Sequence, residues 1–172
     1  SMMQSSLPTA TVGTIVKTNK VLKEMNDDLL EVKVHGHTSE QLAVVIWSDA
    51  ARANRPDLSS TLGFFSGITT TQMLEGGRHG VTPIHHNTSK AQRKARSSLS
   101  AEVQAPADAE QELLFSRLQL AEFLGYPLCR DNVTETVKRV PGVLVVDAKS
   151  IYDNMYGAAG PLGMEEKRTA IE

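Results

Sequence analysis

L-A-V-V-I-W-S-D, residues 42–49, is an unbroken apolar run that ends in a carboxylate. A short apolar run bounded by polar residues fits a strand buried on both faces, the kind found in the middle of an α/β sheet. An acid at the end of such a strand caps a turn or belongs to a site. The chain repeats the pattern at V-L-V-V-D, residues 143–147. Two buried strands, each ending in an Asp, point to Asp49 and Asp147 meeting in one place.

Working outward, Val12, Ile15, Val16, Leu22 and Met25 recur at helical spacing and predict a short helix over 11–26. Residues 30–35 alternate apolar and polar, the period-2 pattern of a half-exposed strand. After the 42–49 strand come turn signals at Asn54-Arg55-Pro56-Asp57, Ser59-Ser60 and Glu75-Gly76-Gly77-Arg78. They bracket a strand over 62–68. A further strand spans 81–86, where Pro83 implies an edge or a bulge. Ser97 and Ser98 can cap a long helix that ends near Leu124, before Gly125 and Pro127. Its apolar stripe is read through Glu102, Pro106, Ala109, Leu113, Leu120 and Leu124, with a kink expected at Pro106. A helical turn near 133–139, the strand ending at Asp147, a short helix over 148–156 and the start of a helix at Glu165 complete the pass. Consecutive strands, then a helix, then one more strand give an α/β fold with a mixed sheet: three antiparallel strands, then a parallel strand reached by a helical crossover, with flanking helices. Residues 1–40 read as an arm and connecting segment, and 41–172 as the folded domain.

With 172 residues the chain is long enough for one domain with a core. The formal charge of −2 gives no overall attraction for a polyanion, so a nucleic-acid partner must be met by a local patch. One cysteine, Cys129, excludes an intramolecular disulfide and a cysteine-rich zinc site. Without a signal peptide or an apolar run of ~18 residues, the expected location is intracellular, cytoplasmic or nuclear, with no membrane partner.

Glu102 sits one turn into the long helix, and with Asp49 and Asp147 it makes three acids that can converge. Converging carboxylates repel unless cations are present. Oxygen-only donors select Mg²⁺ or Mn²⁺, and two such ions about 4 Å apart support phosphodiester hydrolysis. The alternative is that Glu102 faces solvent and the two Asp residues are unrelated. Between Gly76 and Ala101 the chain carries Arg78, Lys90, Arg93, Lys94 and Arg96 and no acid, with Ser98 among the interleaved hydroxyls. This composition suits a phosphate backbone, although a solvated basic loop has the same composition. The five histidines fall on separate turns and a strand and read as surface residues. Trp47 and Phe64 read as core.

The segments W-S-D-A-A-R-A-N-R-P-D-L-S-S-T-L-G-F-F-S-G-I (47–68), S-K-A-Q-R-K-A-R-S-S-L-S-A-E-V-Q-A (89–105) and V-V-D-A-K-S-I-Y-D-N-M (145–155), with E-K-R-T-A-I-E at 166–172, resemble the RNase H region that follows the reverse transcriptase in copia-type retrotransposon polyproteins. The resemblance spans roughly residues 15–172. It implies an RNase H-like fold, with Asp49, Glu102 and Asp147 matching the first three metal-binding acids and two Mg²⁺ or Mn²⁺ ions held there. It further implies cleavage of the RNA strand of an RNA/DNA hybrid, with the reverse transcriptase portion of the polyprotein as a partner. Asn54 and Ser150 flank the acids in these motifs and are candidates for orienting the hybrid. The sequence departs from the pattern in two ways. The family's last strand and its final helix with a fourth acid have no counterpart here, and Pro106 stands where a helix former is expected. An uncovered sheet edge invites self-association.

Overall fold

The computed structural model describes residues 10–28, 31–37, 42–92, 98–127 and 133–155. The chain divides into two compact units, Ser1–Lys33 and Val34–Glu172. The first contains α1 (Val12–Asp27). Thr11 starts it through a reciprocal cap: the Thr14 amide donates to Thr11 Oγ1, and the Thr11 amide donates to Thr14 Oγ1 at 3.2 Å. The side chains that define its period, Val12, Ile15, Val16, Leu22 and Met25, are all exposed.

The second unit is built on a four-stranded sheet of order β3-β2-β1-β4, from β1 (Leu42–Ala51), β2 (Thr61–Thr70), β3 (Thr82–Lys90) and β4 (Gly142–Val146). β1 is antiparallel to β2, β2 is antiparallel to β3, and β4 is parallel to β1. This is a mixed α/β sheet, three antiparallel strands and one parallel strand, with flanking helices. β1 takes a central place because its residues 43–46 are all buried, which needs a strand on each side and a layer on each face. β3 is an edge, as Pro83 implies, and a register irregularity interrupts its ladder at Ser66/Gly67. The segment 31–37 is not a strand. Its alternation finds no neighbouring strand, and the His35 amide donates instead to Thr82 Oγ1 at 2.9 Å.

The long helix α3 (Ser98–Phe123) supplies the crossover from β3 toward β4 and contains Pro106. It covers the sheet face formed by Leu42, Val44 and Ile46, and its Ala109, Leu113, Leu120 and Ala121 build the main core with them and Val140. In its first turns the buried residues are Ala101 and Ala105, while Glu102 and Pro106 are half-buried. The stripe therefore starts one position earlier than the leucine spacing implies. Alanine lets the helix approach the sheet closely where a longer side chain cannot fit. Two short helices follow α3 and β4 in turn: α4 (Val133–Lys138) and α5 (Lys149–Met155). A four-residue helix, α2 (Thr71–Leu74), which the sequence does not announce, turns the chain between β2 and β3. No described helix is long and apolar enough to cross a membrane.

Arg117 joins α3 to the entry of β4. Its Nε donates to the Val140 carbonyl at 2.6 Å and its Nη2 to the Val137 carbonyl at 2.8 Å, just past the end of α4, where the Val137 carbonyl also accepts from the Val140 amide. Burial lowers the guanidinium's pKa, yet the group stays charged because its ordinary value is so high. The Arg117 stem lies across Gly142, where an added Cβ would sit 2.7 Å from Cδ. Arg117→Met keeps the stem but strands the Val140 carbonyl, while the Val137 carbonyl keeps its bond from the Val140 amide, so it should lose about 1–3 kcal/mol of unfolding free energy. Gly142→Ala should also destabilise by forcing the stem aside. Urea denaturation of both variants checks this; an unchanged midpoint for Arg117→Met would remove the clamp from the account.

Candidate functional site

β1 and β4 run side by side with Val44 opposite Gly142 and Ser48 opposite Val146. One step further along each chain come Asp49 and Asp147, so the shared register delivers two carboxylates to neighbouring positions at the carboxyl ends of parallel strands. Ligand sites in such sheets gather there. Both residues are exposed. Asp49 lies within β1 opposite Gly63, and its Oδ1 accepts from the Ala50 amide at 2.7 Å.

Strand alternation then separates the faces. Ser48 is buried, and Ala50 packs with Leu62, Ala91 and Ala105 on the α3 side. Asp49 accordingly belongs to the opposite face, together with Trp47 and Phe65, whose ring centroids are 5.8 Å apart. Glu102 rides on the helix that covers the first face, half-buried and engaged in a polar or electrostatic contact. Among the described residues no group of three or more His, Cys, Asp or Glu side chains is arranged to hold a metal ion. The register thus puts Asp49 and Asp147 one residue beyond the last paired positions of β1 and β4, and the described residues do not gather the three acids into one such group.

The face that carries Asp49 is covered only in part. Toward the start of β1, the segment between β2 and β3 folds over it: Val81 and the Thr82 carbonyl occupy the space beside Gly67, and Thr69 Oγ1 donates to the Gly80 carbonyl at 3.1 Å. Toward the acids, Val145, Trp47, Phe65 and His86 form a row across all four strands, set by the pairs Trp47–Val145, Trp47–Phe65 and Phe65–His86. Phe65 and Val145 are 39% and 38% exposed. Trp47, expected in the core, is half-buried on this open face, while Phe64 does pack into the core.

The residues selected for backbone contact are dispersed. Arg78 is exposed in the turn before β3, and Ser98 begins α3. Arg93, Lys94 and Arg96 lie outside the described residues. Asn54 is exposed and its Oδ1 accepts from Thr61 Oγ1 at 2.8 Å. Lys90, at the end of β3, is paired with Asp57 of the β1–β2 loop. The structure adds this loop, 52–60, to what the sequence reading found. Asp57 Oδ1 accepts from the Ser59 amide at 3.1 Å and from Ser59 Oγ at 2.6 Å, and the buried Arg55 donates through Nε to Thr61 Oγ1 at 3.0 Å. Ala53 and Leu58 take positive φ, 48° and 58°, which these bonds must hold against steric cost. The Asp57-Leu58-Ser59 spacing of a side-chain turn is the signal that could have found it. Of the histidines, His35 and His37 stack at 6.2 Å, and His85 Nδ1 lies 2.8 Å from Glu112 Oε1 on α3.

Two carboxylates with oxygen donors alone match the chemistry of Mg²⁺ or Mn²⁺, since Mg²⁺ is commonly held by one or two carboxylates and completes its shell with water and phosphate oxygens. The fit is to a two-carboxylate site; the described geometry does not supply the third donor.

No family model matches the chain, and no curated protein matches it. A solved structure is similar to it in part: the N-terminal RNase H domain of a Mycobacterium tuberculosis protein, determined as a fusion with maltose-binding protein. That chain is 15% identical, the match covers 76% of this chain and 70% of the other, and the TM-score is 0.36.

The Lys90 ammonium, followed by the Ser59 hydroxyl and amide, holds the Asp57 carboxyl well below its ordinary value of 3.8. A depressed acid contributes stability above its unfolded pKa and loses it as pH falls through the folded value. The loop tie should therefore persist at pH 4 and weaken only in stronger acid. A carboxyl ¹³C NMR titration should place the Asp57 midpoint under the usual carboxylate range, and Lys90→Met should move it upward toward 3.8. A midpoint indifferent to that substitution would show that Lys90 does not set it.

Proposed function

We propose that the chain is a metal-dependent nuclease domain that hydrolyses the RNA strand of RNA/DNA hybrids. The observation that carries this reading is the register of β1 and β4, which pairs Ser48 with Val146, the residues just before Asp49 and Asp147. The motifs around both residues, D-A-A-R-A-N and D-A-K-S-I-Y-D, support it, as does the RNase H-like order of the sheet. Asp49 and Asp147 would hold a divalent cation between them, with Glu102 reaching the same cation from α3 once substrate is bound. When bound, Mg²⁺ or Mn²⁺ supplies an activated water and neutralises charge on the phosphate. The chain's own part is to orient these carboxylates through the sheet register and to seat the backbone of the hybrid with Arg78, Lys90, Arg93, Lys94, Arg96 and the hydroxyl of Ser98. Asn54, on the loop beside Asp49, would orient the nearest nucleotide. The retroelement setting and a reverse transcriptase partner belong to this proposal through the sequence resemblance.

A second reading has a specific observation behind it. Because the three acids do not form one metal-holding group among the described residues, the domain would instead be a catalytically inert module that binds nucleic acid or a protein partner.

One experiment separates the two. The chain is incubated with a labelled RNA/DNA hybrid in Mg²⁺ and in Mn²⁺, alongside Asp49→Asn and Asp147→Asn. The nuclease reading expects 5′-phosphate products from the RNA strand only, a loss in both variants to background, and no cleavage in EDTA. Hybrid binding without turnover, unaltered by Asp49→Asn, is the result the inert module expects, and it would overturn the first reading.

A further inference from the structure

The loop that joins β1 to β2 holds a hydrogen-bond relay with a fixed direction. It starts at Arg55, a charged side chain that is 8% exposed. A guanidinium donates and cannot accept, and Arg55 Nε donates to Thr61 Oγ1 at 3.0 Å. The Thr61 hydroxyl keeps its one hydrogen, which goes to Asn54 Oδ1 at 2.8 Å. With Oδ1 held in this way, Asn54 Nδ2 and its two N–H donors are turned away from Thr61, on an exposed residue. The surrounding loop keeps this shape against steric cost. Ala53 and Leu58 take positive φ, while the Ala53 amide donates to Ser60 Oγ at 3.2 Å and the Ala91 amide to the Ser60 carbonyl at 2.9 Å. Backbone held in such regions by its surroundings recurs at ligand-binding sites.

Strand pairing places the relay on the face of Asp49. Thr61 is opposite Ala51, and Gly63 is opposite Asp49. Directly paired residues share a face, and Leu62 between them packs with Ala50 on the α3 side. Thr61 therefore belongs to the Asp49 side, two strand residues or about 7 Å along from the level of that acid. Gly63 sets no side chain between Thr61 and Phe65 on this face.

We propose that Arg55 and Thr61 are positioning residues: they fix the Asn54 amide with its donors outward, where Asn54 binds a phosphate or ribose oxygen of the hybrid one step from Asp49. The inference rests on the preceding reading for the hybrid as substrate, and on the relay for its geometry. Backbone oxygens suit a donor that carries no sequence information, since Asn contacts to phosphate and sugar set the register of a nucleic acid. Arg55 and Thr61 act only through the orientation they give to Asn54.

The test measures binding of a labelled RNA/DNA hybrid by fluorescence anisotropy in EDTA, with folding of each variant verified by circular dichroism. Asn54→Ala and Thr61→Val should each weaken binding about fivefold, and Thr61→Ser should restore it. The two losses should not add, so Thr61→Val changes nothing further in the Asn54→Ala background. The Asn54 side-chain ¹⁵N–¹H signals should shift when hybrid is added. In the free protein they should shift with Thr61→Val and with Arg55→Lys, which keeps the charge but not the Nε–H, and stay in place with Thr61→Ser. Single methylphosphonates or single deoxynucleotides in the RNA strand should erase the difference between the parent and Asn54→Ala at one position, naming the oxygen as phosphate or ribose; a difference that survives every replacement overturns the assignment to the backbone. Equal affinity of Asn54→Ala and the parent overturns the proposal. So does an equal Thr61→Val loss in both backgrounds, the mark of a loop tie that acts without Asn54. A parent that binds no hybrid overturns it together with the nuclease reading, whereas the expected pattern without cleavage in Mg²⁺ or Mn²⁺ supports it and overturns the nuclease reading alone.

Discussion

The bond from the Val44 amide to the Pro141 carbonyl fixes the register of the only parallel pair in the described sheet, and most of the architecture depends on it. A slip of one residue in that pair would send Val143 and Val145 to the α3 side and turn Leu144 out of the core. It would also separate Asp49 from Asp147 along the strand direction. The register is held from behind by Arg117, which binds the carbonyls of Val137 and Val140 just before β4 begins. Core packing and the placement of two acids are thus set by one short ladder and one buried cation.

Close approach of α3 to the sheet is the second constraint. Ala101, Ala105 and Ala109 are almost fully buried against the strands, and small side chains there trade apolar area for proximity. The arrangement leaves Ser48 enclosed on the same face with its hydroxyl lacking a hydrogen-bond partner among the described atoms. A buried unpaired hydroxyl costs stability, and its position next to Asp49 ties that cost to the strand that carries the candidate site. Farther along the helix, the His85–Glu112 contact fastens β3 to α3, and the edge-on packing of Phe64 against His85 joins β2 to β3.

The sequence was most legible where burial is continuous. Residues 42–49 read as a central strand because a run apolar on both faces has few other fates; 143–147, read the same way, instead form a half-buried strand at the edge of the described sheet, with Val145 exposed. Pro83 correctly put β3 at an edge, and the Gly125-Pro127 stop bounded α3 to within a residue or two. The alternation at 30–35 misled because period 2 describes a face and cannot supply a neighbouring strand. The stripe of α3 was misphased at Glu102 and Pro106 because extrapolating from leucines overlooks alanines, which carry the closest contacts with the least hydrophobic signal. Lys90 illustrates a further limit: its basic run speaks of phosphate, but its partner Asp57 is 33 residues away in sequence and only the fold makes them neighbours. The strands that carry the two Asp residues were legible, and they pair in parallel as expected. The position of Glu102 relative to them depends on which side of the sheet each side chain takes, and that depends on a register no local pattern encodes.

Trp47 is the chain's one tryptophan, and it stands half-buried on the partly covered face, two residues from Asp49 and in ring contact with Phe65. Its indole is therefore a built-in optical reporter, free of any competing emitter of its kind. Whatever settles on that face, whether polypeptide, nucleobase or solvent, changes the polarity around the ring and with it the wavelength at which the protein emits.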